Sequence, residues 1–147
     1  MPGDTEQDGA DEARVFHHGL ALFNRGAWFE AHEAWEEIWR QAGGPRKNFY
    51  QGLIQCAVAL EHLRRGNPRG VVTVFASAQT RFRGLPDMYM GVNITLLLEQ
   101  IERLVAPVRA LPAERFQPSV ARGQTLPVDP AQAPQIELEY DPFATQG

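Results

Sequence analysis

The sequence predicts an all-α fold: a compact bundle of about five helices, built from antiparallel helical hairpins in a tetratricopeptide-like manner, with a proline-rich extended C-terminal tail. Three observations carry this expectation. Apolar residues recur at helical spacing, not alternating spacing, from Phe16 to Val105. Glycine and proline interrupt that pattern about once per helix, at Gly26, at Gly43 to Pro45 and at Gly66 to Pro68. Beyond Leu111 the periodicity stops, and five prolines fall between Pro112 and Pro134. The expected organisation is therefore a disordered N-terminus over 1–10, a helical bundle over 11–110, and an extended or disordered tail over 111–147.

The first helix opens at Asp11 with acids in its first turn, carries Phe16, Leu20 and Phe23 on one face, and stops at Gly26. The second runs from about Trp28 to Gln41 and ends at the Gly43–Gly44–Pro45 cluster. The third begins near Arg46 and reaches Gly66. It is apolar nearly all round, which marks a central, buried helix. Asn67 caps the fourth, with Pro68 at its first position and a stripe of Val71, Val74, Phe75, Ala78 and Phe82. Residues 84–91, GLPDMYMG, read as a loop. The fifth helix turns Ile94, Leu97, Leu98, Ile101, Leu104 and Val105 inward until Pro107 disturbs it. In the tail, IELEY alternates like a short strand without a partner. A weak internal repeat relates RGAWFEAHEAWEEIW, from Arg25, to RGNPRGVVTVFASAQ, from Arg65.

Composition limits function. A chain of 147 residues suits one domain. Its net charge is −4 and its single lysine is Lys47, which argues against a nucleic-acid partner. No apolar run approaches the ~20 residues of a bilayer span. The acidic start, MPGDTEQDGADEA, lacks the apolar core of a signal peptide. One cysteine, Cys56, cannot form an intrachain disulfide. The expectation is a cytoplasmic protein that meets no membrane.

The chemistry concentrates in WFEAHEAWEEIW, Trp28 to Trp39. At about 100° per residue, Trp35, Trp39 and His32 fall within roughly 40° of Trp28, and Glu36 near 80°. Glu30, Glu33, Glu37 and Arg40 fall on the opposite, solvated side. His32 and Glu36 thus sit one turn apart beside large rings, where a carboxylate needs a partner. On the third helix, Gln51, Gln55 and His62 share a stripe roughly 40° wide. That stripe is expected to meet His32 and Glu36, giving a polar pocket between helices two and three. A divalent metal ion is its candidate cofactor, with His32, Glu36 and His62 as ligands. Glu36 and His32 are the catalytic candidates. Gln51, Gln55, His62 and Trp39 are the binding candidates. The structural alternative is a His–Glu pair that satisfies itself. Glu36 stands where a HExxH metalloprotease has its second histidine, so that class is excluded. His17 and His18 point about 100° apart and read as surface residues. Asn24, before a hairpin glycine, reads as a turn or cap residue whose amide reaches the second helix.

FNRGAWFEAHEAWEEIW, FYQGLIQCAVALEHLRRGNPRG and MGVNITLLLEQIERL together resemble the domain of unknown function 309 family of small all-helical bacterial and archaeal proteins. The resemblance covers roughly Phe16 to Val105. Its signature of His, three residues, an acid, two residues and Trp or Tyr is here His32, Glu36 and Trp39. It implies an all-helical fold and a motif suggested to bind metal, without an established activity or substrate. Two functions remain open from sequence. One is a metal-assisted or acid–base hydrolase. The other is a non-catalytic tetratricopeptide-like module for a peptide or small anionic ligand, with Arg64, Arg65, Arg69, Arg81 and Arg83 as an anion-binding edge. A small molecule or peptide is the expected partner, and the aromatic faces also suit a homo-oligomer.

Overall fold

The computed structural model describes residues 2–120 and 122–144. It contains α1 (Pro2–Asn24), α2 (Trp28–Gln41), α3 (Gly44–Arg64), α4 (Pro68–Phe82) and α5 (Ile94–Arg109). A short hairpin of β1 (Met88–Tyr89) and β2 (Val92–Asn93) precedes α5. Three short 3-10 turns follow it, at Ala113–Phe116, Pro118–Val120 and Pro130–Gln132. The helices pack in chain order, α1 on α2, α2 on α3, α3 on α4 and α4 on α5.

The α1–α2 and α3–α4 turns repeat one motif. Gly26 and Gly66 both adopt positive φ, 82° and 70°. The Ala27 N–H reaches back to the Leu22 carbonyl at 2.9 Å, and the Asn67 N–H to the His62 carbonyl at 2.9 Å. Each is a Schellman closure that satisfies the end of one helix before the next begins. The weak repeat therefore has a structural counterpart in its Arg–Gly turns.

α3 forms the centre. Phe49, Leu53, Cys56 and Leu60 are fully buried, along with Phe16 and Phe23 of α1, Trp35 of α2 and Phe75 of α4. Each such large apolar side chain contributes about 1.5–3 kcal/mol by leaving water. Gly19 of α1 lets the Trp35 indole lie directly on the α1 backbone, where its Nε1–H donates to the Phe16 carbonyl at 3.2 Å.

Four details depart from the sequence expectation. α1 starts at Pro2, so residues 2–10 have a helical backbone where a disordered terminus is expected. Proline suits a first helical position. α5 runs through Pro107 to Arg109. Pro107 and Arg103 are both exposed, so water reaches the carbonyl the proline leaves free. The expected loop contains the β1–β2 hairpin, closed by Met90 (φ 48°) and Gly91 (φ 79°). Two consecutive positive φ values match the twist of antiparallel strands, and burial of the Met90 side chain offsets its strained backbone. The tail, expected to be extended or disordered, lies on the bundle. The Gly123 and Gln124 N–H groups donate to the Arg65 and Gly66 carbonyls at 3.1 and 3.0 Å, and Ile136 is buried. The IELEY segment does have a partner: the Glu139 N–H donates to the Gly91 carbonyl at 2.8 Å.

Candidate functional site

The tryptophan face of α2 forms as the helical wheel implies. Trp28, Ala31, Trp35 and Ile38 are buried, while Glu30, Glu33 and Glu37 face solvent. His32 and Glu36 meet one turn apart, with His32 Nε2 3.0 Å from Glu36 Oε1. Their side chains retain 21% and 36% of their exposure, so the pair lies at the rim of the core, not inside it. His32 Nδ1–H donates to the Phe29 carbonyl at 3.0 Å, and its ring meets Phe29 edge-on. Arg40 approaches the other oxygen of Glu36 at 3.6 Å. All of these partners belong to α2.

His62 has different company. Asn67 Nδ2 donates to His62 Nδ1 at 3.2 Å, while Asn67 Oδ1 accepts from the Gly70 N–H at 3.0 Å. The Asn67 amide thus caps α4 with one atom and holds the imidazole with the other. The ring lies flat against Gly70, where a Cβ would fall 2.5 Å from it. Burial, then the Arg65 and Arg122 charges, hold His62 below the usual histidine range against the pull of Glu61. Among the described residues, no three His, Cys, Asp or Glu side chains converge as a metal site.

The remaining candidates are spread along the α2–α3 layer. Trp39 sits at its turn end, with Lys47 Nζ 4.3 Å from the ring centroid and donating to the Trp39 carbonyl. Gln51 and Gln55 are both partly buried. Gln55 Oε1 is enclosed without a hydrogen-bond partner among the described residues, as are the indole nitrogens of Trp28 and Trp39. Cys56 lies wholly within the core, and burial pushes its thiol up to about 12, so it is no nucleophile.

The sequence reading did not single out Glu61, the buried carboxylate at the end of α3. It accepts hydrogen bonds from Arg64 and Arg65. Burial alone would raise its pKa, but the two guanidiniums more than offset this and hold it below the usual carboxylate range. The spacing of Glu61, Arg64 and Arg65 on one helix was the available signal. Next to this clamp lies a groove of about 360 Å³ lined by Asn67, Arg69, Gly70, Thr73, Pro118 and Arg122, among others, with no carboxylate in its wall. Arg64 and Arg65 pair with Glu61, while Arg69 and Arg122 line the groove. Arg81 and Arg83 lie at the far end of α4.

Residues 16–74 match the family described as Domain of unknown function (DUF309). The matched segment holds His32, Glu36 and Trp39 as well as Asn67, Arg69 and Thr73. The chain is 30% identical over 95 residues to an uncharacterized protein of Aquifex aeolicus, covering 64% of this chain and 28% of that protein. It is 33% identical over 91 residues to the uncharacterized protein YpuF of Bacillus subtilis, covering 58% of this chain and 51% of that protein. The chain thus spans about a quarter and about half of the lengths of these relatives. No helix among the described residues is long and apolar enough to cross a membrane.

Proposed function

We propose that this chain, with its DUF309 segment at residues 16–74, is a non-catalytic binding module that holds a small anion in the groove where α4 begins. The observation that carries the reading is charge segregation. A protein of net charge −4 brings Arg69 and Arg122 to one groove with the Asn67 amide and the Thr73 hydroxyl, and no acid lines it. Guanidiniums and hydroxyls are suited to phosphate, sulfate or carboxylate oxygens. His62, held by Asn67 and packed on Gly70, supports the wall of the groove.

The test is a titration with inorganic phosphate at constant ionic strength, followed by thermal unfolding and amide chemical shifts. Saturable stabilisation is expected, with shifts at Arg69, Gly70 and Thr73, and both should vanish in Arg69→Gln combined with Arg122→Gln. An undiminished phosphate response in that variant would refute the reading.

One observation favours the second reading, a divalent metal at the α2 pair. His32 Nδ1–H donates to a backbone carbonyl, the arrangement that turns Nε2 toward a metal in histidine sites, here toward Glu36. Metal-assisted hydrolysis there would need further ligands from solvent or substrate. Stoichiometric zinc binding that is lost in His32→Ala would support it.

A further inference from the structure

Residues 135–143 are held on the bundle the way a receptor holds an extended peptide. The Asn24 side chain pairs with both backbone groups of Ile136. Its Nδ2 donates to the Ile136 carbonyl at 2.9 Å, and its Oδ1 accepts from the Ile136 N–H at 2.6 Å. Gln135 Nε2 donates to the Asn24 carbonyl at 3.0 Å. The Glu139 N–H then donates to the Gly91 carbonyl at 2.8 Å. Side chains add selectivity to this backbone reading. Ile136 is buried to 6% exposure, His17 Nε2 lies 3.2 Å from Asp141 Oδ1, and the Phe143 ring meets Phe16 edge-on at 5.7 Å. Glu137 and Glu139, in between, point to solvent. Backbone pairing plus side-chain sites at intervals is how extended peptides are recognised.

The receptor and its segment are distant in sequence, 112 residues apart at Asn24 and Ile136. The last backbone hydrogen bond to the bundle before the segment is that of Gln124 on Gly66, and Leu126, Val128 and Ala133 then pack partly buried against the core. The connection between them, residues 125–134, contains Pro127, Pro130 and Pro134 and only one short 3-10 turn. Extended, ten such residues reach roughly 33 Å. The segment can therefore leave its receptor at the cost of the connection's own packing, while the contacts among α1 to α5 stay intact.

We propose that this receptor also takes residues 135–143 of a second copy of the chain, so that two copies exchange these segments. A second copy is the fitting occupant because its segment carries the same isoleucine, acid and aromatic ring at the spacing the receptor already binds. Exchange retains every contact and needs no new surface. In one copy, the short connection keeps the segment at an effective concentration on the order of millimolar. Pairing within a copy therefore prevails in dilute solution, and exchange emerges when that pairing is weakened.

Two full-length variants test this. Asn24→Ala damages the receptor and leaves the segment intact. Ile136→Asp damages the segment and leaves the receptor intact. Each alone should sediment as a monomer, and an equimolar mixture should form a one-to-one heterodimer. A mixture that stays monomeric while both variants keep the parent's helical circular dichroism overturns the proposal. Hydrogen exchange of the unaltered chain provides a second measurement that holds even if a variant misfolds. The Ile136 and Glu139 amides should exchange at least about a hundredfold faster than those of Cys56 and Leu60, as expected for local opening. Equal protection would show that the segment is integral to the fold, and would also overturn the proposal.

Discussion

A double-mutant cycle between Glu36 and His62 separates the two readings of the α2–α3 layer. Glu36→Gln removes a charge from a partly exposed pair whose partners, His32 and Arg40, are both on its own helix. Surface pairs at this spacing contribute about 0.3–0.5 kcal/mol, and that is the expected loss. His62→Gln removes the ring packed on Gly70 and its bond with Asn67, the residue that caps α4. A weakened cap and a lost part-buried hydrogen bond together cost about 1–2 kcal/mol. Because the two residues have no partner in common, the double variant should equal the sum of the singles within about 0.5 kcal/mol. Urea unfolding followed by tryptophan emission measures all four proteins, with and without added zinc. Coupling above about 1 kcal/mol would refute the reasoning. So would zinc stabilisation of the parent that either substitution abolishes, since only a shared site behaves that way.

Stability should fall in two stages as pH is lowered. His62 has a folded-state pKa below its unfolded value of 6.5, so its contribution is intact above that pH and declines as pH drops toward the folded value. Glu61, depressed below 4.5, adds a second loss at lower pH, which Glu61→Gln should remove. Urea midpoints across this range provide the measurement, and a flat profile just below neutrality contradicts the assignment of His62. Gly19→Ala should destabilise although alanine favours helix. The new Cβ would lie 2.1 Å from Trp35 Nε1, on a ring with no room to move. Overpacking of about 1–3 kcal/mol plus a strained indole hydrogen bond outweighs a helix-propensity gain of about 1 kcal/mol. A variant at least as stable as the parent in urea would show that the ring yields.

The sequence reported best on features that are local. The Trp28 start and Gln41 end of α2, the Asn67 cap and the Gly66 stop all follow from the order of residues along one helix, and each lies where that order puts it. The His32–Glu36 contact was legible for the same reason, because four residues along a helix make one turn. The partner of His62 was not. Its stripe with Gln51 and Gln55 gives an angle about the α3 axis, but α3 touches both α2 and α4, and the stripe cannot say which neighbour each turn meets. His62, in the last turn, belongs to α4 through Asn67 and Gly70. The β1–β2 hairpin escaped because its strands have two residues each, too few to show alternation. From its place before Gly26, Asn24 is expected to be a turn residue reaching α2. Its amide instead pairs with Ile136, a partner that local sequence does not reveal.

The chain-order packing of the helices has a temporal consequence. Each helix of the bundle finds its neighbour just behind it, so synthesis and assembly can keep step. The contacts of Ile136 with Asn24 and of Phe143 with Phe16 span more than a hundred residues and close only after the whole bundle has emerged. At about 5–20 residues per second, the stretch beyond α5 takes a few seconds to leave a ribosome. During those seconds every nascent copy has Asn24 and Gly91 open to water. Neighbouring chains on one message would then be at their highest mutual concentration, and the first segment to reach an open receptor would not have to be its own.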